Sequence, residues 1–510
     1  MLTEGNKISI NNNQYTLGSK LGGGKEGCVF NIIEKENAVV KILNDNGMSK
    51  NQRNETYLHL EWLCELRRRT DRAFLRKYML LPMALIDDQL GYAMRKADGY
   101  EPLDKFITPP DNDDEFDSWY KDKYPLKKRY QMIVNLFDAL REIHLAGLIF
   151  TDLSPNNIMV HKQKNEFVFI DTDNLRKRTD SYLSVLGTPG YMAPEVYRRP
   201  DSKLAKENNI DPKILSNSGR ITTESDIFSA AIIAFKLLTL WHPFIGDEIE
   251  EGTPEEETQA LEIKTDYIFK PGTSNTSSYA LVPQFEELTT PEIRHLFERT
   301  FDEGRDYPAL RPTAEEFLEE FQNALDKIIE CPKCGLQCIY KPGEKNKCIN
   351  CGDVFEKQIV LNIYTTYKKL SRAEMINNIG NYKDYDVEEL NMDYIPLNGK
   401  MKKKGNFFLT GQIVLVPDKP KVLYSRHFDS NGDRQKQYLQ IEIDELGREA
   451  KINVINQLFP DTHLAKNKDG EFFKDMKNGQ IFSIEEYSFV LNQKTHGTGE
   501  MKSVGKFVKE

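Results

Sequence analysis

The segment Phe150–Asp173 constrains this chain more than any other, because it spaces two acids and an amide around a short apolar run. Asp152 comes first, Asn157 lies five residues further on, and Asp171 directly follows the apolar residues 167–170. A short β-forming run of this kind predicts a strand that ends at Asp171. An acid, an amide and a second acid at these spacings are what phosphoryl transfer requires.

The order D-L-x-P-x-N, followed by an apolar run and Asp171, resembles the catalytic loop and metal-binding triplet of protein kinases. The resemblance implies that Asp152 acts on the substrate hydroxyl while Asn157 and Asp171 hold Mg²⁺. It extends over about residues 15–326. The detailed form, D-L-S-P-N-N with I-D-T-D, looks like a bacterial branch of eukaryotic-like serine/threonine kinases.

A segment near the N-terminus, LGGGKEGCV, places three glycines in the register G-x-G-x-x-G-x-V. Glycine is needed where backbone amides approach phosphate oxygens closely. A Rossmann loop would lead directly into a helix, whereas here the β-forming runs CVFNII and AVVKIL follow, which favours a kinase-type loop. Lys41 closes the run AVVK, and the resemblance implies that it reaches the α- and β-phosphates of ATP. The alternative is an ordinary strand-end lysine. The residues implied to contact the nucleotide are Gly22, Gly24, Gly27, Val29, Lys41, Met94, Asn157 and Asp171.

Lys41 requires a carboxylate partner, and the helix-like segment 51–69 offers Glu55, Glu61 and Glu65. Spacing alone does not choose among them. On a 3.6-residue period Glu55 shares a face with three apolar residues, as an inward-facing helix should show, whereas Glu61 shares its face with charged residues. The periodicity favours Glu55 over Glu61.

Motifs further along the chain continue the resemblance. GTPGYMAPE, residues 187–195, looks like the end of an activation segment, and Thr188 resembles the threonine that hydrogen-bonds the catalytic acid. The apolar run that starts near Asp226 is too short to span a bilayer and is expected to be a buried helix. The resemblance implies that Asp226 holds the catalytic-loop backbone and that Arg311 pairs with Glu195.

Several residues depart from the family pattern. Phe150 and Thr151 replace the usual His-Arg, so the arginine that reads an activation-segment phosphate is missing. Ser154 stands where a lysine normally neutralises the transferred group, which would weaken an electrostatic site. Asp173 replaces the glycine of the triplet and could add a metal contact, and Glu26 replaces an aromatic at the tip of the glycine loop. In the bacterial branch, where D-x-D is usual, these departures do not by themselves indicate inactivity.

Four cysteines form the pattern C-x2-C-x13-C-x2-C, with a glycine closing each pair. Thiolates two residues apart on tight turns can present four sulfurs tetrahedrally to Zn²⁺, and a closed four-thiolate site is structural. A disulfide pairing is the alternative and suits secreted proteins better. Cys338 is then a spare thiol. The predicted zinc ligands are Cys331, Cys334, Cys348 and Cys351.

The last 150 residues or so contain alternating apolar runs separated by Gly, Asn and Asp, which predict a β-rich domain. The triplet Ser425-Arg426-His427 gives this region a faint resemblance to forkhead-associated domains, β-sandwiches that bind phosphothreonine. That resemblance implies a phosphothreonine-containing partner for Ser425 and Arg426. A β-sandwich without a ligand is the alternative.

Composition indicates a soluble protein with about three domains. A net charge of −10 argues against a general nucleic-acid binder. The acidic run 108–125 and the polar segment 198–220 are interpreted as exposed insertions, and the basic cluster 402–404 as a solvated face. The chain shows neither an apolar N-terminal segment nor a long apolar stretch, so we expect a cytoplasmic protein with reduced cysteines and no membrane partner.

Together these features predict an α+β chain with a bilobal protein-kinase fold. The expected parts are an N-lobe (1–97), a C-lobe (98–328), a zinc ribbon (329–355) and a β-rich, sandwich-like C-terminal domain (356–510). The expected function is ATP- and Mg²⁺-dependent phosphorylation of protein serine or threonine in a bacterial signalling, stress or defence pathway. The alternative is a pseudokinase adaptor that binds nucleotide or partners without efficient transfer.

Overall fold

The computed structural model describes most of the chain and divides it into two compact units. The described residues are 2–24, 27–179, 187–197, 221–249, 265–356, 358–365, 389–391, 396–397, 400–401, 406–428, 436–455, 461–466, 473–475, 478–495 and 498–509. The first unit comprises Met1–Tyr124, Lys128–Phe285 and Pro291–Leu318; the second comprises Pro125–Lys127, Glu286–Thr290 and Glu319–Glu510. Glu26, the insertion at 198–220 and the basic cluster at 402–404 lie outside the described residues.

The first unit begins with a six-stranded antiparallel sheet of order β1-β2-β3-β4-β6-β5. One face carries a hydrophobic cluster that includes Phe30, Ile32, Val40 and Ala93. Apolar residues at alternate positions of neighbouring strands build this cluster, as the period of a half-buried strand requires. The strands are β1 (Lys7–Ile10), β2 (Asn13–Gly23), β3 (Gly27–Ile32), β4 (Lys35–Leu43), β5 (Ala84–Leu85) and β6 (Gly91–Arg95).

On the opposite face of this sheet, one row of paired residues crosses the strands β2, β3, β4 and β6. Gly22 lies opposite Val29, Val29 opposite Lys41, and Lys41 opposite Tyr92. Side chains of residues directly opposite each other in a sheet point to the same face, so Val29, Lys41 and Tyr92 share one surface. Gly91 lies opposite Ile42, next to this row, and a Cβ there would clash with the backbone carbonyl of Lys41, so glycine permits the close pairing of β6 with β4.

The rest of the first unit is mainly helical. The long helix after the sheet begins at a capping box formed by Ser49 and Gln52, and it buries Leu60, Leu63 and Cys64. The helices are α1 (Lys50–Arg68), α2 (Leu75–Tyr78), α3 (Asp113–Ser118), α4 (Leu126–Leu145), α5 (Pro194–Tyr197), α6 (Thr223–Thr239), α7 (Pro291–Glu298), α8 (Gly304–Asp306) and α9 (Ala314–Leu325). The start of α4, up to Lys127, and the part of α9 from Glu319 onward are assigned to the second unit. The short strands are β7 (Tyr100–Pro102), β8 (Leu148–Ile149), β9 (Ile158–His161), β10 (Phe167–Phe169) and β11 (Arg176–Lys177).

Helix α6 confirms the buried helix that its apolar run predicts, since nearly all of its residues are buried. Across the described ranges, every helix is too short or too polar to cross a bilayer.

The second unit contains the cysteine pairs and two larger antiparallel β-sheets. Strands β12 (Ile328–Glu330) and β13 (Gln337–Ile339) form a hairpin at the first cysteine pair. A seven-stranded sheet of order β15-β18-β14-β26-β25-β22-β23 and a four-stranded sheet of order β19-β20-β21-β24 both contribute to one hydrophobic cluster, which is the packing that a β-sandwich requires. Their strands, with the isolated pair β16–β17, are β14 (Ile359–Thr365), β15 (Glu389–Asn391), β16 (Pro396–Leu397), β17 (Lys400–Met401), β18 (Asn406–Leu415), β19 (Lys421–Tyr424), β20 (Gln437–Ile443), β21 (Glu449–Val454), β22 (Asp461–Lys466), β23 (Phe473–Asp475), β24 (Gln480–Ser483), β25 (Tyr487–Thr495) and β26 (Thr498–Lys509).

Candidate active site

A buried carboxylate on α6 fixes the backbone of the loop between β8 and β9 by hydrogen bonds. Asp226 accepts hydrogen bonds from the backbone amides of Phe150 at 2.8 Å and Thr151 at 3.0 Å. Its carboxylate also lies 3.0 Å from His144 Nε2. Thr151 has a left-handed backbone, with φ 71°, and a β-branched residue keeps this strained conformation only where its surroundings impose it. Asp226 thus supplies two of the contacts that fix the loop immediately before Asp152.

Asp152 is oriented through both of its carboxylate oxygens. Thr188 Oγ1 donates to Asp152 Oδ1 at 2.8 Å, and Asn157 Nδ2 donates to Asp152 Oδ2 at 3.0 Å. The same amide nitrogen donates to the Asp152 backbone carbonyl at 2.9 Å. The structure therefore brings Asp152, Asn157 and Thr188 together.

Asp171 lies just beyond β10 and faces Lys41, which is on β4 of the six-stranded sheet. Its backbone is left-handed, with φ 53°, and its carboxylate is 3.3 Å from Lys41 Nζ. Burial raises the pKa of Asp171; Lys41 opposes this effect, while the carboxylates of Asp173 and Asp152 add to it. Several carboxylates therefore converge on a site whose resident cation is Lys41.

The donors at this site suit a divalent cation. Mg²⁺ prefers carboxylate and amide oxygens. Because the Asn157 amide nitrogen is used on Asp152, its side-chain oxygen is left to serve as a ligand. The Asp171 side chain keeps 33% of its surface exposed, and a bound cation would offset the burial and the carboxylate repulsion that raise its pKa. Asn157 and Asp171 thus fit a metal site by their chemistry.

The predicted pairing of Lys41 with Glu55 is wrong. Glu55, Glu61 and Glu65 are all exposed, and Lys41 Nζ instead contacts Asp173 Oδ1 at 3.0 Å and Oδ2 at 3.1 Å.

The error lies in the face assigned to α1. Leu58, one helical turn after Glu55 and on the same face, is 52% exposed. The buried face of the helix instead contains Leu60, Leu63 and Cys64. One helical turn before Leu63 this face presents His59, whose Nε2 lies 2.9 Å from the Asp173 backbone carbonyl. Sequence reasoning missed His59 as a site residue and Asp173 as the partner of Lys41. The apolar residues Leu60, Leu63 and Cys64 recur at helical spacing, and this pattern could have identified the inward face of α1.

The glycine segment divides into open and packed positions. A Cβ added at Gly22 or Gly24 would meet nothing within 4 Å, so the backbone there is accessible to a ligand. A Cβ at Gly27 would clash with the backbone carbonyl of Ile42, so this glycine is required for strand pairing. Val29 is half-buried on the Lys41 face of the sheet, and Met94, two residues beyond Tyr92 on β6, is buried on the same face.

Two departures from the family pattern have a packing explanation. Phe150 is fully buried, and its ring packs 4.6 Å from that of Phe169. Ser154 is 1% exposed, so this position supplies neither a cation nor an accessible hydroxyl. A cation that neutralises a transferred phosphoryl group must therefore come from another position. Lys41 is a cation already present in the site.

In the second unit the four predicted zinc ligands converge. All four sulfurs lie within 4.8 Å of one another, with Cys331 to Cys351 at 3.6 Å and Cys334 to Cys348 at 3.5 Å. Four sulfurs arranged tetrahedrally about Zn²⁺ at ~2.3 Å would lie roughly 3.8 Å apart. Disulfide sulfurs would be only about 2.05 Å apart, so the thiols are unpaired.

Both cysteine turns have the glycine geometry that a metal knuckle needs. Gly335 and Gly352 have φ of 73° and 70°, and their amides donate to the carbonyls of Cys331 at 2.8 Å and Cys348 at 2.9 Å. Left-handed backbone of this kind favours glycine. The cluster thus fits Zn²⁺ by ligand type, spacing and turn geometry, and the fifth cysteine, Cys338, is buried outside it.

The structure does not support a phosphothreonine site at Ser425 and Arg426. Ser425 is 1% exposed within the short helix Ser425–Phe428, and the Arg426 side chain is 8% exposed. The Arg426 guanidinium is paired with Asp326 at 3.1 Å. A phosphate dianion would have to displace this buried carboxylate, so the expectation of an open site is corrected: Arg426 serves an internal ion pair.

Comparison with known proteins agrees with the geometry of the first unit. Residues 105–321, which include Asp152, Asn157, Asp171 and Thr188, match the protein kinase domain family. The chain is 23% identical over 221 residues to the serine/threonine-protein kinase nekl-2 of Caenorhabditis elegans, covering 43% of this chain and 54% of that protein.

Two bacterial proteins show shorter matches. Identity is 31% over 77 residues to the serine/threonine-protein kinase PknG of Mycobacterium leprae, covering 15% of this chain and 10% of that protein. It is 30% over 128 residues to the serine/threonine-protein kinase pkn3 of Myxococcus xanthus, covering 23% and 20%. The matches thus span between a tenth and about half of the length of these relatives. Residues 105–321 thus match the protein kinase domain, and parts of the chain are similar to serine/threonine protein kinases, bacterial ones among them.

Proposed function

We propose that the whole chain is an ATP-dependent serine/threonine protein kinase, with Asp152 as the residue that accepts the proton of the substrate hydroxyl. The observation that carries this proposal is the contact of Thr188 Oγ1 with Asp152 Oδ1, together with the bond from Asn157 to the other oxygen. Two donors leave Asp152 in one orientation, which is what a group acting on a substrate hydroxyl requires.

Each remaining site residue has a role that follows from its position. Lys41 is a buried cation at the centre of the sheet face and is placed to bind ATP phosphates. Gly22 and Gly24 offer open backbone for the same phosphates. Val29 and Met94 provide apolar surface on the Lys41 face for the base of the nucleotide. Asn157 and Asp171 would hold Mg²⁺, which when bound neutralises phosphate charge during transfer.

The pseudokinase alternative rests on Ser154, which does not replace the missing lysine. The oriented Asp152 and the buried Lys41 argue against it, because both are features of a site organised for transfer. An enzyme without that lysine is expected to be slow but active.

The test is incorporation of radiolabelled phosphate from ATP with Mg²⁺, using wild-type protein, Asp152→Asn and Asp171→Asn. We expect Asp152→Asn to lose transfer by at least roughly a hundredfold while still binding ATP, because its carboxylate acts only on the substrate. Asp171→Asn should lose Mg²⁺-dependent nucleotide binding as well. Transfer by Asp152→Asn at the wild-type rate would contradict the assignment. Phosphate found only on tyrosine would contradict the serine/threonine specificity.

The second unit has its own proposed role. Four converging thiols support a structural Zn²⁺ site at Cys331, Cys334, Cys348 and Cys351, which would make residues 329–355 a zinc ribbon. The two packed sheets support a β-sandwich after it. Unpaired thiols favour a reducing compartment such as the cytoplasm. The bacterial relatives and the D-x-D triplet support a place in bacterial signalling, including stress or defence responses.

A further inference from the structure

Asp173 makes several polar contacts at the site, although the sequence pattern suggested for it only an additional metal contact. Both of its carboxylate oxygens contact Lys41 Nζ, at 3.0 and 3.1 Å. Tyr92 donates its hydroxyl to Asp173 Oδ1 at 3.0 Å. The backbone carbonyl of Asp173 lies 2.9 Å from His59 Nε2 and accepts from Arg176 Nη1 at 2.7 Å.

Burial makes this carboxylate necessary. The Lys41 side chain is only 4% exposed, and an ammonium removed from water needs an anion close to it. Asp173 Oδ1 at 3.0 Å and Asp171 Oδ1 at 3.3 Å from Lys41 Nζ supply that negative charge. The glutamates of α1 are exposed, so the compensation comes from the triplet after β10.

The two carboxylates are placed differently. Asp173 is closer to Lys41, contacts it with both oxygens, and is 11% exposed. Asp171 is at 3.3 Å with one oxygen and is 33% exposed. Asp171 therefore retains the surface that a metal ion needs, whereas both Asp173 oxygens are engaged by protein groups.

We propose that Asp173 is the positioning residue for Lys41, taking the part for which the sequence suggested a glutamate of α1. Tyr92 fixes the carboxylate, because its register position opposite Lys41 brings the hydroxyl and the ammonium to the same side of the sheet. Helix α1 contributes through His59, which contacts the Asp173 backbone carbonyl. The proposal rests on the proposed kinase function, and it separates the triplet into a metal ligand, Asp171, and a lysine partner, Asp173.

The test compares Asp173→Asn, Tyr92→Phe and, as the matched control, Glu55→Gln in the full chain. Binding of a fluorescent ATP analogue is measured with Mg²⁺, and phosphate transfer is measured over ranges of ATP and Mg²⁺. We expect Asp173→Asn to weaken nucleotide binding and to lower kcat/KM for ATP by roughly tenfold or more, because it removes a hydrogen-bonded charge from Lys41. Tyr92→Phe should act in the same direction with a smaller effect, and Glu55→Gln should match wild type.

Two further measurements distinguish positioning from other roles. Adding Asp173→Asn to Lys41→Met should change nucleotide binding little, because the partner is already gone. The Mg²⁺ concentration for half-maximal transfer should stay unchanged in Asp173→Asn and rise in Asp171→Asn. Thermal unfolding of each variant checks that the fold is retained, and Tyr92→Phe keeps the test open if Asp173→Asn does not fold.

Wild-type nucleotide binding by Asp173→Asn, an additive double variant, or a raised Mg²⁺ requirement would overturn the proposal. Absence of transfer by the wild-type chain would overturn the kinase function instead, and the binding measurements with the double variant would still decide the role of Asp173.

Discussion

Arg311 holds Glu195 through two parallel hydrogen bonds, Nη1 to Oε1 at 2.7 Å and Nη2 to Oε2 at 2.8 Å. The arginine side chain is fully buried and the glutamate is 7% exposed. Arg311 also donates to the backbone carbonyls of Gly304 at 2.7 Å and Glu224 at 2.9 Å. The pair predicted from sequence is therefore the centre of a satisfied, buried network that fixes the end of the segment carrying Thr188.

Arg311→Ala should destabilise the first unit by about 3–5 kcal/mol, because it leaves the Glu195 carboxylate buried without its partner. All three tryptophans, Trp62, Trp119 and Trp241, lie in the first unit, so urea unfolding followed by tryptophan fluorescence reports on this unit.

The control for this prediction is Arg53→Ala, which removes an ion pair with Asp45 at 3.0 Å whose arginine is 52% exposed. Exposed pairs contribute ~0–1 kcal/mol, so its unfolding curve should nearly overlay that of wild type. Equal effects of the two substitutions would mean that the buried pair is not what stabilises this region.

Thr188 should act on catalysis and not on stability. Thr188→Val removes the hydroxyl that donates to Asp152, so we expect kcat for peptide phosphorylation to fall by roughly ten- to a hundredfold, the effect of losing a hydrogen bond to a charged group. Thr188→Ser retains the donor and should stay within a few-fold of wild type. A valine variant with unchanged kcat would show that Asp152 does not depend on this contact.

Removal of zinc should affect the second unit alone. We expect one Zn²⁺ per chain by elemental analysis, and Cys348→Ser should release it and increase hydrogen exchange in residues 331–352. Cys338→Ser is the matched control, because this buried thiol lies outside the cluster, and it should retain the metal. Wild-type protein purified under reducing conditions without zinc would contradict the prediction.

Sequence predicted the parts of the site whose residues are close along the chain. Asp152 and Asn157 are five residues apart on one loop, and their contact follows from that loop. The four cysteines are fixed by two short turns, so their spacing alone predicts the cluster. Thr188 and Arg311 were found through resemblance, because nothing in their local sequence indicates their partners.

The partner of Lys41 was not predictable in the same way. Asp173 and Tyr92 reach Lys41 from a loop and a neighbouring strand, and their approach depends on strand register and on the packing of two elements distant in sequence. The prediction of which face of α1 is buried depends on a few apolar residues. Leu58 was counted as part of the buried face but is exposed, so the wrong face was predicted. Arg426 posed the same difficulty, since an arginine in a loop-like triplet looks identical in sequence whether it faces a ligand or Asp326.

The ion pair that occupies Arg426 also predicts how the second unit responds to acid. Burial alone would raise the pKa of Asp326, but Arg426, Lys421 and His427 outweigh it and hold the pKa well below its ordinary value. Burial lowers the pKa of His427, against the opposing effect of Asp326. The hydrogen bonds agree, because His427 Nδ1 accepts from the Tyr424 amide at 3.0 Å and Nε2 then carries the proton donated to Asp326 at 2.7 Å.

Both shifts have the same sign for stability. Because the unfolded chain binds protons more readily at each group, the stabilisation is complete above the unfolded pKa values and is lost as pH falls. For His427 the loss begins below about pH 6.5, and for Asp326 it begins below about pH 4.

Hydrogen exchange in β20 and β21, corrected for the intrinsic pH dependence of exchange, should therefore show falling protection of the second unit from pH 6.5 towards pH 5. His427→Gln keeps a donor for Asp326 without a titrating ring and should remove this first step, while the exposed His295→Gln should leave it in place. Protection that stays constant between pH 7 and pH 5 in the wild-type chain would show that His427 does not couple the stability of this unit to pH.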